Sequence, residues 1–343
     1  MFDGSIVMSF CTWNCPTYLV CSVNKYRNQC RTRAYPALAV QPSSILLHTD
    51  DNGNWVECKR RSGSRSAPSS NQTSSSLLSQ ANTVGIIGGV SAVSTLNFLE
   101  KLIFWSSKDG EENLPFVVCS DPVLNKELLS HERSGFPYLN TKTAPAQLDH
   151  TSVVENLQHK RAFLEHSGAR CIVMPCHILH KWHGEVSQGC SIPFLHVGEC
   201  IALELKEANL KPVEAGSNVR IGVLATDTTL AAGFYQEKLE TQGFEVVLPD
   251  KATMEHTVIP AVEALNRKDM EGARNLLRIA LQVLLVRAVN TVIIASDDMQ
   301  GLLPQDDPLL KKCIDPMDAL ARSTIKWAKS TGKMHKDTLM ELY

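Results

Sequence analysis

The stretch ARCIVMPCHILH, Ala169–His180, decides the fold of this 343-residue chain. Its apolar run Cys171–Met174 is typical of a parallel strand buried on both faces, and Pro175 ends that strand. Cys176 follows at the carboxyl end, where open α/β sheets bind ligands, and the chain from Ile178 onward is predicted to be helical. A thiol there is a candidate base or nucleophile, since a nearby helix N-terminus favours the thiolate. The alternative is that Cys176 is a buried small residue, as free cysteines usually are.

Apolar strands alternate with amphipathic helices on both sides of this stretch. Val84–Trp105 predicts a strand, a glycine turn and a helix. The further predicted strands are Pro115–Cys119, Ile192–Val197, Arg220–Ala225, Phe244–Pro249, Val289–Ala295 and Lys312–Asp315. The further predicted helices are Val153–Ser167, Leu230–Gln242, Met254–Asn266, Asp269–Arg287 and Pro316–Ala328. This alternation predicts an α/β protein with doubly wound parallel sheets.

The turn after the first strand is a candidate binding element. Gly88 and Gly89 allow the backbone to turn tightly and to approach a ligand closely. Ser91 stands at the predicted helix start, where its hydroxyl and the free N–H groups suit a carboxylate or a phosphate. GIIGG is neither the dinucleotide fingerprint nor a Walker A loop, so it gives little support for nucleotide binding.

The pattern repeats in the second half of the chain. Val84–Gly88 and Ile221–Ala225 each lead into a turn of small and hydroxyl residues and then a helix, and Cys171–Cys176 and Thr291–Ser296 each follow a helix. The repeat predicts two similar domains whose strand ends face one another, with Cys176 and Ser296 on opposite walls of a cleft. The alternative is that any two βαβ units look alike.

Residues 1–80 differ from the rest. Up to His48 the only acidic residue is Asp3, and residues 62–79 are dominated by serine. Such a segment is typical of a disordered transit peptide that is removed after import. The alternative is a small zinc module on four cysteines: Cys11, Cys15, Cys21 and Cys30. Of these, only Cys11 and Cys15 have the spacing of a zinc-ligand pair.

Composition restricts the classes of partner. A net charge of -2 without a basic stripe in the body argues against nucleic acid, and no apolar stretch has the roughly 18 residues of a membrane span. The 11 cysteines form no small-scaffold framework, which favours a reducing compartment. We predict no metal site in or just after the deciding stretch, although five residues there could suggest zinc: Cys171, Cys176, His177, His180 and His183.

Several of these motifs, in this order and spacing, resemble the aspartate/glutamate racemase family that works without pyridoxal phosphate. They are GIIGG with a following Ser-Thr, MPC followed by His180, the LAT…T turn and the run Gln305–Asp318, and the likeness covers Val84–Ala328. The resemblance implies two flavodoxin-like domains related by a pseudo-twofold axis, with the active site in the cleft between them. It implies a first domain at residues 84–205, completed by a helix at about 316–330, a second at 206–315, and a tail at 331–343.

The resemblance also implies a mechanism without a cofactor. In the family, one cysteine removes the α-proton of a substrate and a second returns a proton to the opposite face. Cys176 matches the first cysteine, whereas Ser296 stands where the second is expected, and His177 and Ile178 replace the family's Asn-Thr. Two-thiol racemisation of aspartate is therefore in question.

The substrate-binding residues are expected at the same strand ends. The candidates are Gly89, Ser91, His177, Thr226, Thr229 and Asp297. In this reading Ser91 and the two threonines donate to a carboxylate. Asp297, together with the neighbouring Asp298, should disfavour a dicarboxylate substrate because like charges repel.

These observations predict an amino-acid racemase-type isomerase that acts on a small carboxylate, with Cys176 as acid/base. A one-cysteine decarboxylase or cis–trans isomerase, and a non-catalytic carboxylate-binding protein, stay open. We expect the protein in the chloroplast after import, with the cytoplasm as the alternative. A homodimer remains an option for its assembly.

Overall fold

The computed structural model describes residues 47–49, 55–57, 81–108, 114–121, 124, 126, 128 and 149–340. The chain forms two units, residues 1–70 and 71–343. In the first, β1 (Leu47–Thr49) and β2 (Trp55–Glu57) pair antiparallel. This pair lies within the extension that we expect to be disordered. The remainder of that extension, including the cysteines of the zinc alternative, lies outside the described residues.

The second unit contains strands and helices in alternation. Its strands are β3 (Val84–Ile87), β4 (Phe116–Cys119), β5 (Cys171–Val173), β6 (Arg220–Ala225), β7 (Glu245–Val247), β8 (Thr291–Ala295) and β9 (Cys313–Ile314). Its helices are α1 (Ala92–Lys108), α2 (His150–His166), α3 (His183–Ser187), α4 (Val197–Glu207), α5 (Asp227–Ala231), α6 (Phe234–Glu240), α7 (Lys251–Thr253), α8 (Ile259–Asn266), α9 (Met270–Leu285) and α10 (Pro316–Met340). Within the described ranges, none of these helices is both long and apolar enough to span a lipid bilayer.

Two parallel sheets have the same strand order. The first is β4-β3-β5 and the second β7-β6-β8-β9. In each, the earliest strand lies between the second and third, which is the flavodoxin-like order. The α/β class with parallel sheets is therefore confirmed. In this order the chain reverses direction across the sheet beside the earliest strand, so a crevice opens at the carboxyl ends of β3 and β5, and of β6 and β8.

The two sheets share a continuous core. Val84 and Val173 of the first sheet and Ile221 and Ile293 of the second lie in one cluster, each fully buried. These strands are apolar at successive positions because helices cover both faces of a parallel sheet. Burial of that apolar surface is the main force that holds the two halves together.

The last helix returns to the first half of the unit. α10 packs against α1 and α4. Lys101 of α1 forms an ion pair with Asp315, at 2.7 Å between Nζ and Oδ2, and Trp105 donates from Nε1 to Asp318 at 2.9 Å. Arg322 of α10 binds the carboxylate of Glu204 with two N–H groups.

One predicted strand is wrong. Ile192–Val197 forms only an isolated bridge between Ile172 and Phe194, and the chain then enters α4. His196 caps that helix, because its Nδ1 accepts the N–H of Gly198 at 3.0 Å. Val197 is the first residue of that helix and lies in the shared core, whereas Ile192 and Phe194 pack against a separate cluster around the first sheet.

Three predicted helices have different bounds. The predicted helix Met254–Asn266 begins as a π-helix, Met254–Val258, and becomes α-helical only at α8. Gly233, with φ of 72°, divides Leu230–Gln242 into α5 and α6, because the left-handed conformation cannot continue a helix. α10 continues to Met340 instead of ending near Ala328, so the expected tail is mostly helical. No proline interrupts that segment, and a single glycine within it, Gly332, is tolerated.

Candidate active site

Cys176 lies three residues past the end of β5, beside the crevice of the first sheet. Its side chain is buried, with the residue 2% exposed. The backbone N–H of Val90, from the turn after β3, points to its Sγ at 3.5 Å. The thiol is therefore held between the ends of the two strands that flank the crevice, with an N–H donor that favours negative charge on sulfur.

Gly89 lies against the cysteine. A Cβ at this position would be 2.9 Å from the carbonyl oxygen of Pro175 and 3.1 Å from Cβ of Cys176. The Gly89 N–H donates to Thr95 Oγ1 at 3.0 Å, so that donor is already engaged. The glycine is needed here because the two turns approach more closely than side chains allow.

Ser91 begins the helix that follows this turn. Its Oγ accepts the N–H of Val93 at 3.1 Å, which is the capping role expected of a serine at a helix start. The side chain is partly exposed.

The second wall carries the residues predicted from the other half of the chain. Thr226 and Thr229 are buried, and their hydroxyl oxygens are 3.2 Å apart. Thr226 is the N-cap of α5. Ser296 follows β8 and is 3% exposed, and its carbonyl accepts the N–H groups of Met299 and Gln300.

Direct contacts join the two walls. Ser94 of α1 donates to Asp297 Oδ2 at 2.7 Å. His177 lies 3.7 Å from Asp297, measured from Nε2 to Oδ1, and its Nδ1 is 2.9 Å from the hydroxyl oxygen of Tyr235 on α6. The residue after Cys176 and the residue after Ser296 are therefore neighbours.

Burial sets the charge of this group. It lowers the pKa of the His177 imidazole, against the opposing effect of Asp297 and Asp315. It also raises the pKa of the Tyr235 phenol well above its usual value. At neutral pH both rings are uncharged, and the carboxylate of Asp297 is beside them.

Comparison with known proteins identifies the family. The family model described as Asp/Glu/Hydantoin racemase matches residues 87–324. The chain belongs to this family. That range begins at the last residue of β3, includes β4 to β9, and includes every candidate site residue, from Gly89 to Asp297.

Relatives of known name or structure support the same fold. The broad specificity amino-acid racemase RacX of Bacillus subtilis is 23% identical over 249 residues, which are 71% of this chain and 96% of that one. An aspartate racemase homologue from Pyrococcus horikoshii has a TM-score of 0.58 at 21% identity, covering 72% of this chain and 99% of its own. The aspartate racemase of Picrophilus torridus has a TM-score of 0.51 at 23% identity, covering 72% and 94%.

The histidines after Cys176 in this racemase-family chain point in different directions. His177 faces the second wall, whereas His180 donates from Nε2 to the carbonyl of Met174 at 2.9 Å. His180, His183 and His196 form a cluster of rings, with centroids 4.7 to 5.8 Å apart. Within the part of the chain that the structure describes, no group of three histidine, cysteine or acidic residues could hold a metal ion.

Two residues of the site were missed by the sequence reasoning. Ser94 had a signal, because it lies three residues after Ser91 and so shares its helix face. Tyr235 had no such signal. Its contact with His177 depends on the break in the helix at Gly233, and the apolar pattern of the predicted helix does not indicate that break.

Proposed function

We propose that this protein is an amino-acid racemase-type isomerase that moves a proton at the carbon next to a carboxylate, without a cofactor, and that Cys176 is an acid/base group. Racemase-family membership supports the isomerase class. The single observation that supports the role of Cys176 is its place at the crevice, with the Val90 N–H at its sulfur. A thiol with a free pKa near 8.5 can be tuned to exchange protons near neutral pH.

The surrounding donors suit the charge that such a reaction develops. Removing an α-proton moves negative charge onto the substrate carboxylate, which aimed donors must stabilise. The hydroxyls of Ser91, Thr226 and Thr229 are such donors. Each lies at the end of β3 or β6, on the same edge of the sheets as Cys176.

Asp297 favours one class of amino acid. Its carboxylate is 33% exposed and beside the strand ends, where it would attract a substrate ammonium group and repel a second carboxylate. We infer that neutral or basic amino acids are better substrates than aspartate or glutamate. The Bacillus subtilis relative is named a broad specificity amino-acid racemase, and that name does not restrict the substrate to aspartate or glutamate.

The test is exchange of the α-proton in deuterated water. Both enantiomers of alanine, lysine, aspartate and glutamate are incubated with the protein and followed by proton NMR. We expect exchange from at least one enantiomer of alanine or lysine that Cys176→Ala reduces by about 10² to 10⁴-fold. Cys190→Ala is the matched control, because Cys190 lies away from the crevice, where its thiol is hydrogen-bonded to Glu165 and to the carbonyl of Ile192. Exchange that Cys176→Ala leaves unchanged would refute the proposal.

One observation favours a second candidate function. Ser296 stands where the family resemblance implies a second thiol, and a serine hydroxyl is a much weaker acid. A one-cysteine decarboxylase or cis–trans isomerase needs no such group. Turnover of an α-substituted malonate or of maleate, without exchange from any amino acid, would favour that reading. Binding of these compounds without turnover would favour a carboxylate-binding protein.

We also propose that residues 1–80 direct import into the plastid. Their acid-poor, serine-rich composition supports this. A fusion of residues 1–80 to a fluorescent protein should enter chloroplasts and be shortened there, whereas a fusion of residues 81–343 should stay in the cytoplasm. Cytoplasmic fluorescence from both fusions would refute it.

A further inference from the structure

His177 has a buried ring nitrogen that nothing in the described structure satisfies. Its side chain is 4% exposed. Nδ1 lies 2.9 Å from the Tyr235 hydroxyl, whereas Nε2 has no hydrogen-bond partner. A buried polar atom without a partner is costly, and where one persists in a site it is available to a ligand or a reacting group.

The same nitrogen lies at the wall where a second acid/base group is required. Nε2 is 3.7 Å from Oδ1 of Asp297, the residue directly after Ser296. The peptide of His177 follows that of Cys176, so one short segment brings both a thiol and an imidazole to the crevice. An imidazole exchanges protons near neutral pH far more readily than a serine hydroxyl does.

We propose that His177 Nε2 is the second acid/base of the site and replaces the thiol that Ser296 lacks. This inference rests on the proposed function, in which Cys176 serves one face of the α-carbon. His177 serves the other face. Asp297 stabilises the imidazolium when it forms, and Tyr235 fixes the tautomer by accepting the Nδ1 proton, which leaves the Nε2 lone pair free.

The proton balance of the step is complete. Nε2 of neutral His177 takes the α-proton of one enantiomer, and the electron pair of the broken C–H bond passes to the α-carbon and its carboxylate. The Cys176 thiol then gives its proton to the opposite face. The product is the other enantiomer, beside a thiolate and an imidazolium, and the reverse step converts that enantiomer back. The net reaction uses no oxidant, reductant or co-reactant.

Variants at the two groups should have complementary effects. The full chain is incubated with L- or D-lysine, and separately with L- or D-alanine, in deuterated water. His177→Asn keeps a polar side chain that cannot titrate and should lose exchange from one enantiomer by at least about 100-fold. It should keep the Cys176-dependent exchange of the other enantiomer, without inversion. Cys176→Ala should show the opposite pattern, which a merely structural role of His177 would not produce.

Rescue and supporting variants complete the experiment. Ser296→Cys added to His177→Asn should restore exchange from the lost enantiomer, because it supplies an acid/base group at the same wall. Tyr235→Phe should slow exchange from the His177-dependent enantiomer more than from the other. Thermal unfolding of each variant shows that it is folded.

Three results would overturn the inference. In the first, His177→Asn exchanges the α-proton of both enantiomers as wild type does, whereas Ser296→Ala loses exchange from one enantiomer. This result would assign the role to Ser296 and leave the proposed function intact. Equal loss from both enantiomers in folded His177→Asn would make the histidine structural. Wild type that exchanges neither enantiomer of any amino acid tested would overturn the proposed function and this inference with it.

Discussion

Replacing Gly89 by alanine tests whether the close approach of the two turns positions Cys176. The new Cβ would lie 2.9 Å from the Pro175 carbonyl oxygen, about 0.5 Å short of the 3.4 Å at which ordinary contact begins. Neither residue can move easily, because the N–H of Gly89 is hydrogen-bonded to Thr95 and the Pro175 oxygen belongs to the backbone. Overpacking of this kind costs about 1 to 3 kcal/mol in free energy of unfolding.

The activity of Gly89→Ala should fall more than its stability indicates. Relief of the clash moves Pro175 and with it the adjacent thiol. A misplacement of about 1 Å costs on the order of 100-fold in rate, so a shift of about 0.5 Å should cost about tenfold. Urea unfolding measures the loss in free energy of unfolding, and α-proton exchange from alanine or lysine measures the loss in rate.

Gly184→Ala is the matched control. Gly184 lies in α3, and a Cβ there would meet nothing within 4 Å. Alanine in a helix is favoured over glycine by roughly 0.5 to 1 kcal/mol, so this variant should be as stable as wild type or more stable, with unchanged exchange. Gly89→Ala with wild-type stability and exchange would refute the argument that this approach positions the thiol.

Two further predictions follow from buried titratable groups. Burial lowers the pKa of three histidines below the unfolded value of about 6.5, to about 3 for His196; they are His180, His183 and His196. As pH falls, the unfolded chain binds protons at these histidines before the folded protein does. The free energy of unfolding, measured by urea titration, should therefore fall as pH drops from about 6.5 towards 3. His196→Asn, which keeps a cap for α4, should make that fall shallower. Iodoacetamide should label Cys176 before Cys200 and Cys313, since burial raises the pKa of those two thiols to about 11 and about 12; peptide mapping that finds all three equally slow would favour Cys176 as a packing residue.

The strands and the turns after them could be predicted from the sequence for a local reason. A parallel strand covered on both faces is apolar along nearly its whole length, and the runs Ile221–Ala225 and Thr291–Ala295 have this pattern. The glycine pair after Ile87 and the proline after Met174 then mark the strand ends. Since ligands bind at those ends, the candidate residues follow from the same signals.

What the sequence could not predict depends on long-range packing. The segment Ile192–Val197 has a strand pattern, yet only one residue of it finds a neighbouring strand. The ring of His177 reaches Tyr235 and Asp297, which lie 58 and 120 positions later (177 to 235 and 177 to 297). No local periodicity contains such a contact, because it depends on how the two halves pack.

Different residues of this chain determine its fold and its proposed substrate. Family membership rests on the strands and the glycine turn, whose apolar and steric requirements leave few alternatives. In the proposed function, substrate and mechanism rest on the residues just past β5 and β8. There the chain has His177 beside Cys176 and Asp297 beside Ser296, so an imidazole and a carboxylate meet next to the two positions at which the family resemblance implies thiols. A carboxylate at that place repels a second carboxylate and stabilises an imidazolium. The two effects are the reason why we propose an amino acid with one carboxylate as the substrate, and a thiol and a histidine as the acid/base groups.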